Sequence, residues 1–462
     1  MFGELHEECG IFGIFNFPDV ANIAYFALHA LQHRGQDASG IVSSDGEQLY
    51  VHKAEGLVKE VFDQSSLSKC IGTSAIGHVR YATAGGGGMV NVQPFCFRHS
   101  SGDFGLCHNG NIVNSNALRL QLEKSSSIFQ STSDSEILAH LIKKDHRQNR
   151  IDSIKEALLL LEGAFAFLVL TKDKMYAMRD KHGLRPLSLG KLGDGYVVSS
   201  ETCAFDVIGA TFIRDIEPGE IVTISKDGYT STFYAQEMSN KLCCMEYIYF
   251  SRPDSNLEGV NVHSSRKECG SRLAKEAPVD ADIVVGIPDS SLSAASGFAE
   301  TSGIPYEMGL IKNRYTARTF IQPSQELREL GVKMKLSPVR SVVQGKRVAI
   351  IDDSIVRGTT SRQIVTMLRE MGAKEVHMRI ASPPIICPCF YGVAMSTYDE
   401  LVSASMGVEE LRKTIGADSL AFLSIEGLKE SINGKGLCLA CLDGVYPTYL
   451  YDQLENANRQ VK

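Results

Sequence analysis

The sequence predicts two globular units in series: an α+β unit of stacked sheets with helical cover over residues 9–231, and an α/β unit with a parallel sheet over residues 232–462. Three observations carry this. The chain has 462 residues, about three times the ~150 residues of one domain. Up to Ser231, short β-rich runs alternate with Gly and Asn turns. From Asp280 the pattern changes to continuous apolar strands, each leading into a Gly/Ser/Thr-rich turn and a helix, as in parallel βα units.

Composition narrows the class. Apolar residues make up 44% and charged residues 22%, with 41 Gly and 14 Pro, which excludes collagen-like, coiled-coil and largely disordered chains. Lys and Arg number 47 against 54 Asp and Glu, so no global positive field attracts a polyanion and nucleic acid is not an expected partner. The longest apolar stretch, Ala157 to Leu170, is broken by Glu162 and Gly163 and is shorter than the roughly 20 residues of a spanning helix. No membrane association is expected. Residues 1–8 are acidic and lack the basic start and apolar core of a secretory signal, which points to the cytoplasm. There, twelve Cys are expected to serve as buried hydrophobes, metal ligands or nucleophiles rather than as a disulfide framework.

In chain order, the expected strands of the first unit begin at Cys9-Gly-Ile-Phe-Gly-Ile-Phe15 and continue with residues 75–83, 104–110, 164–170 and 195–200. A helix is predicted near Ala21 to Gln32, with Ile23, Tyr25, Phe26, Leu28 and Leu31 as its apolar face. A second follows Thr132-Ser-Asp134, with Glu136 in a capping position ahead of Ile137, Leu138 and Leu141. Residues 281–287 and 346–352 are the clearest parallel strands.

Cys9 heads the first strand behind eight residues without apolar periodicity, which reads as a removable leader, residues 1–8. Freed, Cys9 would carry a thiol and an α-amine of pKa near 7.7–8.0, nucleophile and base in one residue. A buried strand cysteine is the alternative. Further strings bear on the choice: Gln32-His-Arg-Gly-Gln-Asp37, Gly77-His-Val-Arg-Tyr-Ala-Thr83, His108-Asn-Gly-Asn111 and Ser131-Thr-Ser-Asp-Ser-Glu136. In this order and spacing they resemble the glutaminase domain of the N-terminal-nucleophile amidotransferases, over residues 9 to 231. The resemblance implies a four-layer αββα fold with Cys9 as nucleophile. It implies Arg80 and Asp134 as holders of the glutamine α-carboxylate and α-ammonium, and the Asn109 side chain and Gly110 N–H as oxyanion donors. Gly110 would be glycine because only bare backbone approaches closely enough. Arg34 and Asp37 are expected to hold the loop around the site, and His78 and His108 to be packing histidines, since the amine supplies the base.

The second constellation is Val348-Ala-Ile-Ile-Asp-Asp-Ser-Ile-Val-Arg-Gly-Thr-Thr360, a buried strand ending in two carboxylates and opening through hydroxyl and Gly positions into a helix. Such a helix start is an anion site. The acids precede the cradle and no Gly-Lys-Ser/Thr follows, so it is not a Walker loop. The string resembles the 5-phosphoribosyl-1-diphosphate (PRPP) motif of type I phosphoribosyltransferases. That implies Asp352 and Asp353 at the ribose hydroxyls and Mg²⁺, with Ser354, Arg357, Gly358, Thr359 and Thr360 around the phosphate. Val284-Val-Gly-Ile-Pro-Asp-Ser-Ser291 resembles the diphosphate loop of that family, with Asp289 and Ser290 at the ligand and Ser290 near the metal. Between the two, Lys312, Arg314, Arg318, Lys333 and Lys335 are expected to form a basic lid.

A glutaminase followed by a phosphoribosyltransferase resembles the glutamine PRPP amidotransferase family. The resemblance implies glutamine and PRPP as substrates, internal transfer of ammonia to form 5-phosphoribosylamine, purine nucleotides as feedback inhibitors, and a homotetramer. Cys438-Leu-Ala-Cys441 alone is compatible with zinc, a redox pair or chance. Together with the doublets Cys243/Cys244 and Cys387/Cys389 it resembles the iron–sulfur subgroup, which implies Cys243, Cys389, Cys438 and Cys441 around a [4Fe–4S] cluster and agrees with a leader before Cys9. Spacing does not choose iron over zinc, nor the member within each doublet. The competing readings are another amidotransferase of the same nucleophile class, whose acceptor domains lack the PRPP string, and a PRPP-sensing regulator, which would need a DNA-binding module that the sequence does not offer.

Overall fold

The chain is described by a computed structural model over residues 9–81, 87–99, 102–144, 150–313, 336–451 and 453–459. Strand β1 (Gly10–Phe15) is buried along its whole length. Alternation explains how both faces are covered: Phe12 and Ile14 pack against helix α1 (Val20–Ala30), whereas Ile11 and Phe15 face a second sheet. The remaining strands of the first unit are β2 (Ala38–Ser44), β3 (Leu49–Glu55), β4 (Ser74–Arg80), β5 (Phe95–Phe97), β6 (Phe104–Ile112), β7 (Gly163–Leu170), β8 (Met175–Arg179), β9 (Ser188–Leu192), β10 (Gly195–Ser199), β11 (Thr211–Asp215), β12 (Glu220–Ser225) and β13 (Gly228–Phe233). They form one sheet in the order β11-β9-β10-β1-β4-β2-β3 and another in the order β13-β12-β8-β7-β6-β5. Ile11, Val42, Ile76, Cys107, Ala166 and Leu168 fill the space between them. Helices Glu136–Lys144 and Arg150–Leu160 cover the outside of the second sheet through Ile137, Leu138, Ile154 and Leu158. The layers therefore run helix, sheet, sheet, helix, the αββα stack expected of this half.

Of the expected apolar face of helix α1, Leu28 and Leu31 are buried and Ile23 and Tyr25 pack partly buried on the same core, whereas Phe26 is 52% exposed; Val20, Ala21, Ala24, Ala27 and Ala30 make up the rest of the buried face. The small face lets the helix lie close on β1 and β4, where a Cβ on Gly77 would meet Leu28 at 2.8 Å. Large side chains there would hold the layers apart.

In the second unit, strands Ile283–Gly286, Arg347–Asp352, Glu375–Ile380 and Ser419–Phe422 pair in parallel in that order. Val284, Ala349 and Ile351 face one apolar cluster and Ile283, Val285, Val348 and Ile350 another, which is why these strands read as continuous apolar runs. The expected limit at residue 231 falls within β13, and Tyr234 still packs in the core of the first unit. The units share a further core, in which Val113, Ala164 and Leu184 meet Phe390, Tyr391, Cys438 and Leu450. Near it, the short strand Leu242–Cys243 pairs in parallel with Leu437–Cys438 and ties the C-terminal region to the middle of the chain. Among the described residues no helix is long and apolar enough to cross a membrane.

Candidate active site

β1 and β4 are antiparallel with Gly10 opposite Val79, so one further step of the register sets Cys9 opposite Arg80. The Cys9 thiol donates to the Tyr81 carbonyl at 3.6 Å. Two bonds stitch this edge to the facing sheet: Cys107 Sγ donates to the Gly77 carbonyl at 3.8 Å, and His78 Nε2 lies 3.1 Å from the His108 carbonyl. Cys107 lies between the sheets, and period two places Asn109 on the same face of β6. Asn109 is 0% exposed, yet neither its amide nitrogen nor its oxygen has a hydrogen-bond partner among the described residues. A buried orphan amide is costly. Gly110 has φ +138, and a Cβ there would sit 2.1 Å from the Ala164 carbonyl oxygen. Glycine is thus required by both conformation and approach.

Asp134 Oδ2 accepts from the Ile112 N–H at 2.9 Å, and the Ser135 hydroxyl donates to Oδ1 at 3.3 Å. Burial pulls its carboxyl up, but His108 and these hydrogen bonds outweigh that and hold it below the usual range. Asp134 is therefore an anion beside the end of β6. Glu136 does more than begin a helix. Its carboxylate accepts from the Gln130 and Ser131 N–H groups, both at 2.8 Å, and from the Ser131 hydroxyl at 2.6 Å, which fixes the loop that carries Asp134. His108 stacks on Phe167 at 4.2 Å, with Nδ1 2.9 Å from the Ser135 hydroxyl. His78 is less fully satisfied than expected, since its Nδ1 has no partner among the described residues. Burial, assisted by Arg80, pushes it down to about 3, so it is neutral at physiological pH. Arg34 Nε donates to the Cys9 carbonyl at 3.1 Å.

Sequence reasoning missed the carboxylates that hold Arg34. Glu201 and Glu246 are both 0% exposed and both accept from its guanidinium. Glu246 stands in Met245-Glu-Tyr-Ile-Tyr-Phe250, directly after the Cys243/Cys244 doublet, and a charge inside that apolar run was the available signal.

The second site forms at the carboxyl ends of two neighbouring parallel strands, where ligands collect in open α/β sheets. Ser291 Oγ donates to Asp352 Oδ1 at 3.2 Å, Ser290 Oγ donates to Asp353 Oδ2, and Ser354 Oγ donates to Asp353 Oδ1 at 2.6 Å. The Asp353 N–H donates to Asp352 Oδ1 at 2.9 Å, which locks the pair together. Helix Thr359–Glu370 starts from Gly358, at φ +74, and the buried Thr360 hydroxyl has no partner among the described residues. Arg357 donates to Glu400 at the rim. Asp289 is exposed and pairs with Lys312 Nζ at 2.7 Å. Of the expected lid, Arg314, Arg318, Lys333 and Lys335 lie outside the described residues. So does the expected leader, residues 1–8.

The cysteine doublets meet the C-terminal pair. Cys243 stands opposite Cys438 in the parallel ladder. The Cys244 and Cys441 thiols hydrogen-bond each other, and Cys244 feels Cys243, Cys438 and Cys389 electrostatically. Cys387 instead lies against Tyr398 and Gly444. Burial pushes the Cys389 and Cys438 thiols up to about 12. Among the described residues, no three His, Cys, Asp or Glu side chains are placed to hold a metal ion.

Comparison with known proteins adds three findings. A glutamine amidotransferase domain family matches residues 85–207. The amidophosphoribosyltransferase of Bacillus subtilis is 59% identical over 454 residues, 97% of this chain and 95% of that protein. Two solved structures superpose over 96% of this chain. One is the Bacillus subtilis glutamine PRPP amidotransferase complexed with ADP and GMP, with TM-score 0.92, 57% identity and 98% of that chain covered. The other is described as the allosteric regulatory enzyme of purine biosynthesis, with TM-score 0.93, 58% identity and 97% covered.

Proposed function

We infer the working parts of this chain from one premise: it belongs to the amidophosphoribosyltransferase family. It is a glutamine-dependent enzyme that forms 5-phosphoribosylamine, diphosphate and glutamate from glutamine and PRPP, at the entry to purine biosynthesis. We assign residues to the two half reactions, with the glutaminase unit running from residue 9 through the end of β13, past the expected limit at 231, and the transferase unit following it to residue 462.

With residues 1–8 removed, the Cys9 α-amine takes the thiol proton as sulfur attacks the glutamine amide carbon. Arg80, opposite Cys9 in the ladder, holds the substrate α-carboxylate, and Asp134, kept ionised, holds the α-ammonium. The amide oxygen becomes an oxyanion received by Asn109 Nδ2 and the Gly110 N–H. Ammonia leaves with a proton from the α-amine, and water cleaves the thioester to glutamate. The observation that carries this reading is the fully buried, unpartnered Asn109 amide, a donor without an acceptor among the described residues, on the strand that Cys107 and His108 tie to the strand carrying Arg80.

In the second half reaction ammonia forms a bond to C1 of PRPP as the C1–O bond to diphosphate breaks. Asp352 and Asp353 receive the ribose hydroxyls, and Ser354, Arg357, Gly358, Thr359 and Thr360 cradle the 5-phosphate, for which the unpartnered Thr360 hydroxyl is a ready donor. Asp289 and Ser290 stand on the diphosphate side. Ser290, Asp352 and Asp353 are hard oxygen ligands held by one another's hydrogen bonds, which suits Mg²⁺. When bound, that ion neutralises the leaving diphosphate.

Cys243, Cys389, Cys438 and Cys441 are proposed to hold a [4Fe–4S] cluster. Cys243 stands opposite Cys438 and the other thiols gather near the C-terminal pair, and the family resemblance is what favours iron over zinc there. Such a cluster clips the C-terminus to the middle of the chain. Twelve free thiols fit a reducing cytoplasm. Feedback by purine nucleotides is supported by the ADP and GMP held by the Bacillus subtilis enzyme. The homotetramer stays an expectation of the family resemblance.

The test is Cys9→Ala, assayed for diphosphate release with glutamine and then with ammonia. Loss of glutamine use with ammonia-driven synthesis retained is expected. Loss of both in a folded protein overturns the division of labour.

A further inference from the structure

Arg34, which holds the Cys9 carbonyl, is gripped from both units. Its Nη1 donates to Glu201 Oε1 at 2.6 Å and to Glu246 Oε2 at 2.9 Å, and its Nη2 donates to Glu246 Oε1 at 2.8 Å. Glu201 belongs to the glutaminase unit, just beyond β10. Glu246 belongs to the chain beyond that unit, three residues after the Leu242–Cys243 strand. The second carboxylate is itself held in place, accepting from Ser251 Oγ at 2.7 Å and lying 3.5 Å from Arg185 Nη1. All four charged groups are 0–1% exposed. Two guanidinium groups face two carboxylates, with His33 Nε2 2.7 Å from Glu201 Oε1, so removing any of the four buried charges leaves a buried partner unbalanced.

Buried ion clusters add little stability over apolar packing of the same volume, while deleting one member is costly. Their use lies in direction. A guanidinium fork held bidentately by one carboxylate and from the side by another has little freedom left. Its remaining Nε–H then fixes the plane of the Cys9 peptide. In the processed protein that plane sets the rotation of Cys9 about its Cα–C bond, and with it the directions of the α-amine and the thiol.

We propose that Glu246 is a positioning residue for glutamine hydrolysis: from the transferase unit, through Arg34, it aims the Cys9 nucleophile and base at the substrate amide. This rests on the assignment of Cys9 as the N-terminal nucleophile. It makes glutaminase alignment conditional on docking of the second unit, because half of the Arg34 clamp is missing until residues 243–246 are seated.

The test compares Glu246→Gln, Glu246→Asp and Cys9→Ala with the unsubstituted enzyme, all as full-length preparations whose intact masses give the same N-terminal residue number. Glutamate release and ammonia-driven diphosphate release are measured on each. Gln keeps the size but loses the charge and one acceptor oxygen; Asp keeps the charge at shorter reach. Misalignment of reacting groups by about an ångström costs about 100-fold. Glu246→Gln should therefore lower kcat for glutamate release by about 10- to 100-fold, with KM for glutamine within about twofold because Arg80 and Asp134 are untouched. Glu246→Asp should recover part of the rate. Ammonia-driven synthesis should stay within about twofold in both, which also reports that they fold. A glutamate-release kcat unchanged in Glu246→Gln overturns the proposal, as does a parallel fall of both activities. Cys9→Ala separates the premise: if it still uses glutamine, the site assignment fails, whereas if only Cys9→Ala loses glutamine use, the role of Glu246 fails alone.

Discussion

Gly110→Ala perturbs the proposed oxyanion donors without touching a charge. The added methyl carbon would lie 2.1 Å from the Ala164 oxygen and 2.7 Å from its carbonyl carbon, both of them backbone atoms of β7. Close carbon–oxygen contacts are about 3.3 Å, so β6 must draw back from β7 by about 1 Å. The strands pair continuously from Gly105–Leu170 to Ile112–Gly163, and the displacement falls near the end of that ladder. It carries the Gly110 N–H and the Asn109 amide with it. Loss of one oxyanion donor costs about 10²–10³ in kcat. The expected result is a fall of about 100-fold or more in kcat for glutamate release, with a destabilisation of about 1–3 kcal/mol from the strained contact. Glutamate release is followed through a coupled dehydrogenase, diphosphate release with ammonia serves as the internal control, and thermal melts report stability. A variant that releases glutamate within about threefold of the parent rate would refute both the oxyanion role of Gly110 and the packing argument behind it.

Asp353→Asn removes the charge and one of the two acceptor oxygens that Ser290 and Ser354 share, and weakens one proposed Mg²⁺ ligand; ammonia-driven diphosphate release should fall by at least about tenfold, and an unchanged rate at saturating PRPP would count against the assignment. Chelation by excess EDTA should stop the same reaction and addition of Mg²⁺ should restore it, while iron analysis of anaerobically purified protein reports on the thiol cluster separately. Burial raises the Glu136 carboxyl, but hydrogen bonds from His140, Ser131 and Gln130 lower it further, so it lies at about 2 in the fold against 4.5. A depressed folded-state value means that its stabilisation is complete above pH 4.5 and is lost as pH falls toward about 2. Glu136→Gln should therefore flatten the pH dependence of Tm in that acid window, with no change in slope above pH ~6, as measured by melts across the range.

The legible parts of the molecule were those in which chemistry and local structure coincide within a few residues. Asp352 and Asp353 end a strand whose apolar run is continuous because both of its faces are covered. Gly110 needs to be glycine for reasons that its neighbours on β7 make plain. Helix α1 was half legible: Leu28 and Leu31 are buried as its apolar pattern predicts, but Phe26 is exposed, and close approach to β1 and β4 gives the rest of the buried face to alanines that a hydrophobic count undervalues. The Cys243/Cys244 doublet was ambiguous for a geometric reason. Cys243 takes the ladder position opposite Cys438, while the Cys244 thiol reaches Cys441, so both approach the C-terminal pair by different routes.

What sequence could not yield is the joint between the units, because its partners are far apart along the chain. Arg34 meets Glu201 and Glu246 across 167 and 212 residues, and nothing local marks either carboxylate as its partner. The same joint touches β6, which carries Asn109 and Gly110, from the other side. Asn111 Nδ2 donates to the Phe390 carbonyl at 2.9 Å, Arg185 donates to the Tyr391 carbonyl, and a Cβ on Gly392 would lie 3.5 Å from the Gly110 carbonyl carbon. Residues 390–392 follow Cys389 directly, and the Tyr391 N–H donates to the Cys389 sulfur at 3.4 Å. On the assignments proposed above, Cys9 is steadied through Glu246 and the strand of Asn109 and Gly110 through residues 390–392, each a short step along the chain from a cysteine of the thiol cluster. A group bound by those thiols would not need to move electrons to matter for glutamine hydrolysis. By fixing Cys243 and Cys389 it would fix both supports of the first site at once.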